Sequence, residues 1–344
     1  MPTIHATALK EFAKDLLTAG GFAPEDADQT ADLLVWANLR GVDSHGVLRI
    51  PRYVEMISLG LMTSGKRPEV VRSFGAVTVI DGGKCPGAVG MNMAVDKAAA
   101  AARTHGVGWC AARRISHAGA VGYFTQALAA KGLVGIAMTA SKPLMSYVGA
   151  RGEALSTNPL SIAVPTGSGG DPILLDMSTA SVALGKIMAA KDAGQTIPEG
   201  WAIDSEGNPA TDPHKVAALL PMAGAKGSGL SLMIEMLTSV LAGNAVIGPV
   251  LTGEKSGGFN GMVLAVAPEA FGEEAAFFAE VGRLTGAIHA LDPIDPSAPP
   301  LLPGERGAAT AQKRTAEGIP LAPGTAKRLQ ELARSLGVTT PDGF

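Results

Sequence analysis

The sequence predicts an α/β protein with a mixed sheet and, beside it, a helical unit that both chain ends form. Three observations support this fold class. The first seventy-odd residues carry helical patterns, the middle of the chain alternates β-rich runs with helices, and the tail is helical again. With 344 residues, of which 47% are hydrophobic and 17% charged, the chain has the length and composition of a folded globular protein.

The amino-terminal helices follow from the spacing of apolar residues and from the residues at the helix ends. Apolar side chains recur at helical intervals from Ala8 to Leu17. A second helix is expected to begin at Pro24, which a first helical turn tolerates, and to end at Gly41, which suits a helix C-terminus. A third helix is expected from Pro51 to about Gly60.

The middle region predicts the sheet, because short β-rich runs closed by glycine or polar residues indicate strands. These runs are Ala76–Gly83, Val107–Ala111, Leu133–Thr139, Leu160–Val164, Ile173–Asp176 and Met262–Val266. Helices are expected over Met91–Gly106, which is rich in alanine, and over about Gly229–Leu241. A proline-rich connector, Asp292–Gly304, leads to a tail helix over Gly324–Gly337 with Thr325 as its N-cap.

Composition and charge exclude several kinds of partner. The formal net charge is -3, only 4% of residues are aromatic and no long Lys/Arg run occurs, so nucleic acid is not an expected partner. No apolar run reaches membrane-spanning length and the amino terminus lacks a secretory pattern, so we expect a cytoplasmic protein without membrane contact. Cys85 and Cys110 form no CxxC pair, and no His/Cys cluster suggests a metal site.

Of three glycine-rich turns, we reject one and keep two as candidates for binding the phosphates of a cofactor. Gly106–Ala111 (GVGWCA) has the letters of the dinucleotide fingerprint, but a helix precedes it and a strand follows, which is the reverse of the required order. His117–Gly122 and Ala223–Gly229 each open a helix, where free N–H groups and the helix dipole favour an anion. Lys226 adds a positive charge to the last turn. Either turn is also compatible with a purely structural role.

The stretch RGVDSHGVLRIPRY, from Arg40 to Tyr53, places Asp, Ser and His side by side. A nucleophile triad of Asp43, Ser44 and His45 does not fit, because consecutive side chains point in different directions and the serine must reach the far nitrogen of an oriented imidazole. No GxSxG elbow occurs elsewhere in the sequence. A serine hydrolase is therefore not expected.

An acid–base centre fits this stretch better. Histidine is the usual proton donor near neutral pH, and Ser44 is able to hold the tautomer of His45 by a hydrogen bond. If the chain turns helical after the next glycine, Arg49 lies one turn from His45 and is able to bind a carboxylate through two hydrogen bonds. A solvated helix-end network of Arg40, Asp43 and Arg49 explains the same residues equally well.

Six motifs then point to a known family: RGVDSHGVLRIPRY, ISHAGAVGYF, STNPLSIAVP, LLDMSTASVALGK, LLPMAGAKGSGLSL and LLPGERG. Over nearly its whole length the sequence resembles the type 2 malate/L-lactate dehydrogenase family, which includes ureidoglycolate and sulfolactate dehydrogenases and diketogulonate, piperideine-2-carboxylate and pyrroline-2-carboxylate reductases. The resemblance implies a non-Rossmann NAD(P)-binding fold and hydride transfer between NAD or NADP and a small carboxylate substrate, a 2-oxo or 2-hydroxy acid. It also implies a homodimer whose active site lies between the subunits.

The resemblance implies roles for individual residues as well. His45 is the expected proton donor and acceptor, Ser44 its hydrogen-bond partner and Arg49 the group that binds the carboxylate. His117 is the second candidate for the acid–base role, and Thr157 is an expected substrate contact. The expected cofactor contacts are His117, Ala118, Gly119, Ala120, Val121, Ser141, Asp176, Met177, Ser178, Lys226, Gly304, Glu305 and Arg306.

The helical ends and the mixed middle suggest two domains. We expect a helical substrate and dimerisation domain of residues 1–75 and 286–344, and an α/β NAD(P)-binding domain of residues 76–285. One position departs from part of the family: Lys186 follows Gly185 where the cyclic-imine reductases have Asp, which favours the malate and ureidoglycolate branches. Two alternatives stay open, an NADPH-dependent cyclic imine reductase and a non-catalytic dinucleotide-binding protein.

Overall fold

A computed structural model of the chain describes residues 2–167, 169–192, 194–256 and 258–344. The helices in these ranges are α1 (Ala6–Ala19), α2 (Pro24–Leu39), α3 (Ile50–Ser58), α4 (Gly87–His105), α5 (Gly122–Ala129), α6 (Leu184–Asp192), α7 (Ala225–Glu235), α8 (Ile247–Leu251), α9 (Glu274–His289), α10 (Glu305–Glu317) and α11 (Pro323–Leu336). The strands are β1 (Thr3–Ile4), β2 (Glu69–Phe74), β3 (Val77–Cys85), β4 (Val107–Ile115), β5 (Val134–Ala140), β6 (Leu160–Val164), β7 (Ile173–Met177), β8 (Ala202–Ile203), β9 (Ala218–Leu219), β10 (Phe259–Val266) and β11 (Ile319–Pro320).

A mixed seven-stranded sheet organises the fold, with its strands in the order β2-β3-β4-β10-β5-β6-β7. β3 and β4 are parallel and α4 crosses over between them, whereas the other neighbouring pairs are antiparallel. Each predicted strand corresponds to one strand of this sheet. The predicted fold class, a mixed α/β protein with a helical unit from both ends, is confirmed.

The sheet core depends on close packing between α4 and β4. The buried face of α4 carries mainly alanine, and at Gly108 of β4 a Cβ would collide with the carbonyl oxygen of Ala98. Because both surfaces are small, the helix and the strand approach until their backbones nearly touch. Gly106, with φ of +80°, ends α4 and leads directly into β4, so GVGWCA is a helix end and the Rossmann reading of it is rightly rejected.

A second core joins the two chain ends. Ile4 pairs with Ile319 between β1 and β11, and both side chains are buried. Apolar residues of α1, α2, α3 and α11 pack in the same cluster, whose largest members include Leu9, Leu16 and Leu329. The division into two domains stays a prediction; its boundary at 285/286 falls inside α9.

Several local predictions differ from the structure. Thr325 is not the N-cap of the tail helix, because α11 begins earlier, at Pro323, where proline suits the first turn; Ala322 precedes it and no side chain caps the helix. The helix predicted from about Gly229 begins earlier, at Ala225, and changes to a π-turn over Met236–Val240. The elements that the sequence analysis did not predict include β2, α6, α9 and α10.

Among the described residues, no helix is both long and apolar enough to cross a membrane.

Candidate active site

Asp43, Ser44 and His45 form a tight 3-10 turn after α2, and a second such turn, Val47–Arg49, leads into α3. Gly46 joins the two turns, where a Cβ would collide with the side chain of Asn38. The Asn38 amide oxygen accepts a hydrogen bond from the backbone N–H of Val47 at 2.8 Å. The glycine therefore allows α2 to hold this turn closely.

A salt bridge from the other end of the chain fixes the same turn. Arg314 of α10 donates to both carboxylate oxygens of Asp43, at 2.7 and 3.1 Å. Asn38 donates to Asp43 as well, at 2.6 Å. Asp43 is thus a structural anchor rather than part of a triad, as the sequence analysis expects.

Ser44, His45 and Arg49 form one unit on this turn. Ser44 Oγ and His45 Nδ1 share a hydrogen bond of 2.9 Å, and Arg49 Nε donates to the carbonyl oxygen of Ser44 at 2.8 Å. The terminal nitrogens of Arg49 have no partner among the described residues. The chain here adopts 3-10 turns rather than the predicted α-helix, yet Arg49 lies close enough to His45 for its charge to lower the pKa of that imidazole.

His117 reaches the same place from the sheet. It follows the end of β4, where Arg114 has a positive φ of 53°. Its ring stacks on the ring of His45, with centroids 5.6 Å apart and planes inclined by 21°. Phe259 of β10 meets His117 edge to face at 5.7 Å. Tyr53 Oη and His117 Nδ1 share a hydrogen bond of 2.7 Å.

Burial makes both imidazoles neutral. Burial first, and then the charge of Arg49, lower the pKa of His45 to about 4. The pKa of His117 is lowered well below its usual value, by burial first and then by His45 and Arg49. Both side chains nevertheless remain partly exposed, so a small molecule is able to touch them. Neither Nε2 atom has a hydrogen-bond partner in the described ranges.

The loop from His117 to Val121 offers a row of free backbone donors. Within the described residues, none of its backbone N–H groups donates to a protein acceptor, although Ala118 and Val121 are buried. Buried N–H groups without partners are rare and lie here just before the N-terminus of α5, an arrangement that suits an anion. Gly119 has φ of +72°, and a Cβ there would meet Leu33 at 2.8 Å. The predicted cofactor wall therefore fits a phosphate-bearing group.

Asp176 and Gly304 lie beside this loop. Asp176 accepts a hydrogen bond from the N–H of Gly122 at 2.8 Å, and burial raises its pKa to about 6 although its side chain is open to solvent in the cleft. Arg40 offsets part of this rise and donates to the carbonyl oxygen of Gly304 at 2.9 Å. Met177 ends β7 next to Asp176. An open carboxylate of this kind suits the hydroxyl groups of a ribose.

The segment Gly304 to Arg306 begins α10 beside a cavity of about 530 Å³. Glu305 is already engaged, since it accepts from the N–H of Leu302 at 2.8 Å and contacts His289 at 2.8 Å. Arg306 is exposed and lines the cavity. Of the predicted contacts here, Arg306 is thus the one whose charge is accessible.

Ser141 and Thr157 belong to a second group, after the end of β5 and before the start of β6, strands that lie between β4 and β7 in the sheet. Ser141 Oγ shares a hydrogen bond of 2.6 Å with Ser156 Oγ, next to Thr157. The carbonyl oxygen of Thr157 accepts from the N–H of Thr179, directly after Ser178, at 3.2 Å. These two bonds join the segment before β6 to the segments that follow β5 and β7.

Lys226 lies in the first turn of α7, beyond this second group. The carbonyl oxygen of Thr179 accepts from the N–H of Met222 at 2.9 Å, which ties the Ala223–Gly229 turn to the end of β7. Lys226 is exposed near a cavity of about 720 Å³ that Ala223 and Gly224 help to line. Within the described residues, Lys226 makes no hydrogen bond or salt bridge with either histidine.

Lys186 lies near the Asp43–His45 turn but points elsewhere. A Cβ at Gly185 would meet the Cβ of Ser44 at 3.4 Å, which places the start of α6 against that turn. The Lys186 ammonium lies 6.0 Å from the ring centroid of Trp201, an arrangement typical of a cation–π contact.

Sequence analysis missed four residues of this site. They are Asn38, Tyr53, Phe259 and Arg314. Tyr53 alone carried a local signal, since His45, Arg49 and Tyr53 are spaced four residues apart in one motif. The other three contact the site through the tertiary fold.

Comparisons with known proteins agree on an oxidoreductase. A family model described as malate/L-lactate dehydrogenase matches residues 4–330. The chain belongs to this family. It is 34% identical to a malate dehydrogenase of Pyrococcus abyssi, over 96% of this chain and 94% of that protein. It is also 36% identical to an NAD(+) ureidoglycolate dehydrogenase of Escherichia coli, over 70% of this chain and 68% of that protein.

Solved structures of similar proteins share the whole fold. A delta1-piperideine-2-carboxylate reductase from Pseudomonas syringae pv. tomato aligns with a TM-score of 0.84 at 28% identity, covering 97% of this chain and 100% of that one. The family and fold that the six motifs indicate are therefore confirmed, and the protein is a member of a family of hydroxy-acid dehydrogenases and reductases.

Proposed function

We propose that this enzyme transfers hydride between a nicotinamide cofactor, NAD or NADP, and a small 2-oxo or 2-hydroxy acid. One observation carries the proposal: two stacked imidazoles with free Nε2 atoms lie beside a partly buried arginine, Arg49, whose terminal nitrogens are free among the described residues. A proton donor and a carboxylate-binding cation at one place suit an acid whose neighbouring carbon changes oxidation state.

His45 carries the proton in this mechanism. When bound, a reduced nicotinamide supplies the hydride. In reduction, protonated His45 gives its Nε2 proton to the substrate oxygen; in oxidation, neutral His45 takes the proton back. Ser44 holds Nδ1 of the ring, so that Nε2 is the atom directed at the substrate.

Arg49 orients the acid and prepares His45. The bond from its Nε to Ser44 leaves the terminal nitrogens for two parallel hydrogen bonds with a carboxylate. A bound carboxylate also neutralises the charge that lowers the pKa of His45. Substrate binding therefore makes the imidazole more able to hold the proton that reduction requires.

The free N–H groups of His117 to Val121, with Asp176, are the residues that would hold the cofactor. Support comes from the unpartnered amides, from the open carboxylate beside them and from the relative whose name specifies NAD(+). Arg306 and Lys226, both exposed, are candidates for its phosphates. Thr157 and Ser141 remain proposed contacts from the family resemblance.

A homodimer is part of this proposal. No residue of α9 is buried within the chain, and Met233, Met236 and Leu241 expose 51%, 42% and 66% of their surfaces on α7 and the following π-turn. Exposed apolar surface of this extent favours a subunit contact. Light scattering should give twice the chain mass of 34.8 kDa; a mass of one chain contradicts the dimer.

A cyclic imine is the alternative substrate, since its nitrogen is able to take the same proton. Similarity to the piperideine-2-carboxylate reductase supports it, whereas Lys186, turned toward Trp201, offers the imidazole no carboxylate.

The decisive experiment is a panel of 2-oxo acids and cyclic imines, each with NADH and with NADPH, followed by loss of the reduced-cofactor absorbance. We expect turnover of a 2-oxo acid with one of the two cofactors. His45→Gln serves as the inactive control and His214→Gln, at an exposed loop position, as the active one. Turnover of imines alone moves the function to the alternative, and no turnover at all contradicts the proposal.

A further inference from the structure

The two imidazoles of the site are held by hydroxyl groups in different surroundings. Ser44, which bonds His45 Nδ1, is partly exposed. Tyr53, which bonds His117 Nδ1, is only 3% exposed. This difference decides what each ring is able to do, because a hydroxyl can either donate to an imidazole nitrogen or accept from it, and it must place its own proton in both cases.

The direction of the Tyr53 bond follows from counting partners. In the part of the chain that the structure describes, the Tyr53 hydroxyl has one hydrogen-bond partner, His117 Nδ1 at 2.7 Å. If His117 carried its proton on Nδ1, the Tyr53 proton would be buried without an acceptor, which is unfavourable. If Tyr53 donates, both groups are satisfied. His117 then carries its proton on Nε2.

We propose that Tyr53 is a positioning residue that fixes His117 as the neutral Nε2–H tautomer, so that His117 donates a hydrogen bond to the substrate oxygen while His45 carries the proton. This inference rests on the proposed function for the identity of the substrate, but the tautomer itself is a property of the free enzyme. It assigns different roles to two histidines that the motifs alone do not distinguish.

The hydrogen bond to Nδ1 of His45, unlike the one to Nδ1 of His117, is able to reverse its direction. The Ser44 hydroxyl is partly exposed and can rotate, donating to Nδ1 of neutral His45 or accepting from Nδ1 of the protonated ring while its own proton meets solvent. The Arg49 and His45 charges both oppose a proton on His117, and the hydroxyl of Tyr53 faces it from the remaining side. One proton therefore resides on the pair at a time, and it resides on His45.

This arrangement selects the substrate class. A 2-oxo oxygen has two lone pairs and accepts from both Nε2 atoms at once, one from each stacked ring. An imine nitrogen has a single lone pair and is able to accept from only one of them, which would leave the His117 donor without a partner on the substrate. The Tyr53–His117 pair thus favours a 2-oxo acid over a cyclic imine.

The direct test is nuclear magnetic resonance of the enzyme labelled with ¹⁵N-histidine, without substrate, at neutral pH. Long-range ¹H–¹⁵N correlations separate the two neutral tautomers, and the signal that disappears in His117→Gln identifies His117. We expect Nε2–H for His117 in the wild type and a loss of that pattern in Tyr53→Phe. A Nδ1–H pattern in the wild type, or an unchanged pattern in Tyr53→Phe, overturns the proposal.

Kinetics test the consequence. Tyr53→Phe should lower kcat for the 2-oxo acid roughly 10- to 100-fold, since a donor at the developing oxyanion is weakened, with KM changed much less. Tyr123→Phe is the matched control: it also removes a partly buried tyrosine hydroxyl, here bonded to Asp32 at 2.7 Å, without touching either histidine. NADH fluorescence should show unchanged cofactor binding in both variants.

The proposed function and the proposed role of Tyr53 can each be contradicted without the other. If the Nε2–H pattern is found but no 2-oxo acid is turned over, the proposed function fails and the tautomer assignment stands. If 2-oxo acids are turned over and Tyr53→Phe keeps the wild-type kcat, or if the wild type prefers a cyclic imine to the matched 2-oxo acid, the role of Tyr53 is overturned while the dehydrogenase assignment of the family remains.

Discussion

The turn that carries His45 and the strand end that carries His117 meet in one cleft but are built in opposite ways. Side-chain hydrogen bonds hold the turn that carries His45: Asn38 and Arg314 bind Asp43 and the backbone near it. Backbone geometry holds the second, through the positive φ of Arg114 at the end of β4. Under the proposed function, the ring that carries the proton lies on a turn held by side-chain contacts, and the ring that acts as a fixed donor lies on a strand end shaped by its backbone.

The largest effect should separate the two histidines. A glutamine amide is able to donate a hydrogen bond but not to transfer a proton, so His45→Gln should lower kcat by roughly 10³-fold and His117→Gln only about tenfold. Steady-state kinetics with unchanged NADH binding checks both. Equal losses of kcat, or a greater loss in His117→Gln, would show that His45 is not the main proton carrier. The two histidines would then not have the different roles proposed for them.

The second largest effect on activity is expected for Arg49→Met. Hydrogen bonds to charged groups contribute about 1.5–3 kcal/mol, so kcat/KM for the acid should fall roughly 10- to 100-fold, mainly through a higher KM. Arg52→Met is the control, because Arg52 lies in α3, the helix that begins directly after Arg49, and its side chain is 54% exposed and pairs with Glu55. An unchanged KM in Arg49→Met discards the carboxylate role.

The pH dependence should shift in that same variant. Oxidation needs neutral His45, whose pKa is lowered to about 4 by burial and then by Arg49, so kcat/KM for the hydroxy acid should be level near neutral pH and fall as the pH drops toward that value. With the Arg49 charge removed, the pKa rises and the acid limb should move to higher pH. If the acid limb of the pH profile lies at the same pH in Arg49→Met as in the wild type, His45 is not the titrating base.

The smallest effect should come from the salt bridge behind the turn. Arg314→Met removes a partly exposed ion pair with Asp43, worth about 1 kcal/mol, and should lower kcat only a few-fold because the turn remains tied by Asn38. Lys313→Met, on the same helix and paired only with exposed Glu317, should have no effect. If the two variants behave alike, the turn does not depend on α10.

Much of the fold could be predicted because it depends on local patterns. Strands β4 to β7 and β10 were identified from β-rich runs, and the alanine-rich helix α4 from its composition and terminal glycine. The polar helix α10 was missed because it carries few large apolar residues, with Ala308 its one buried residue in the described ranges. It owes its place to contacts with α2 rather than to its own pattern.

The candidate site was predicted in part for the same reason. Ser44, His45 and Arg49 form a unit within one motif, so spacing sufficed to group them. The bond between Tyr53 and His117 spans 64 residues of sequence, and that between Asp43 and Arg314 spans 271. Such pairs depend on how the strands and helices assemble, which the local pattern does not encode.

The central claim is that both imidazoles and Arg49 bind the same substrate acid. The most direct measurement is a crystal structure of the enzyme with nicotinamide cofactor and oxamate, an unreactive analogue of a 2-oxo acid. We predict the oxamate carboxylate on the terminal nitrogens of Arg49 and its carbonyl oxygen within hydrogen-bond distance of Nε2 of both His45 and His117. Oxamate bound away from Arg49, or touching neither ring, would contradict the account.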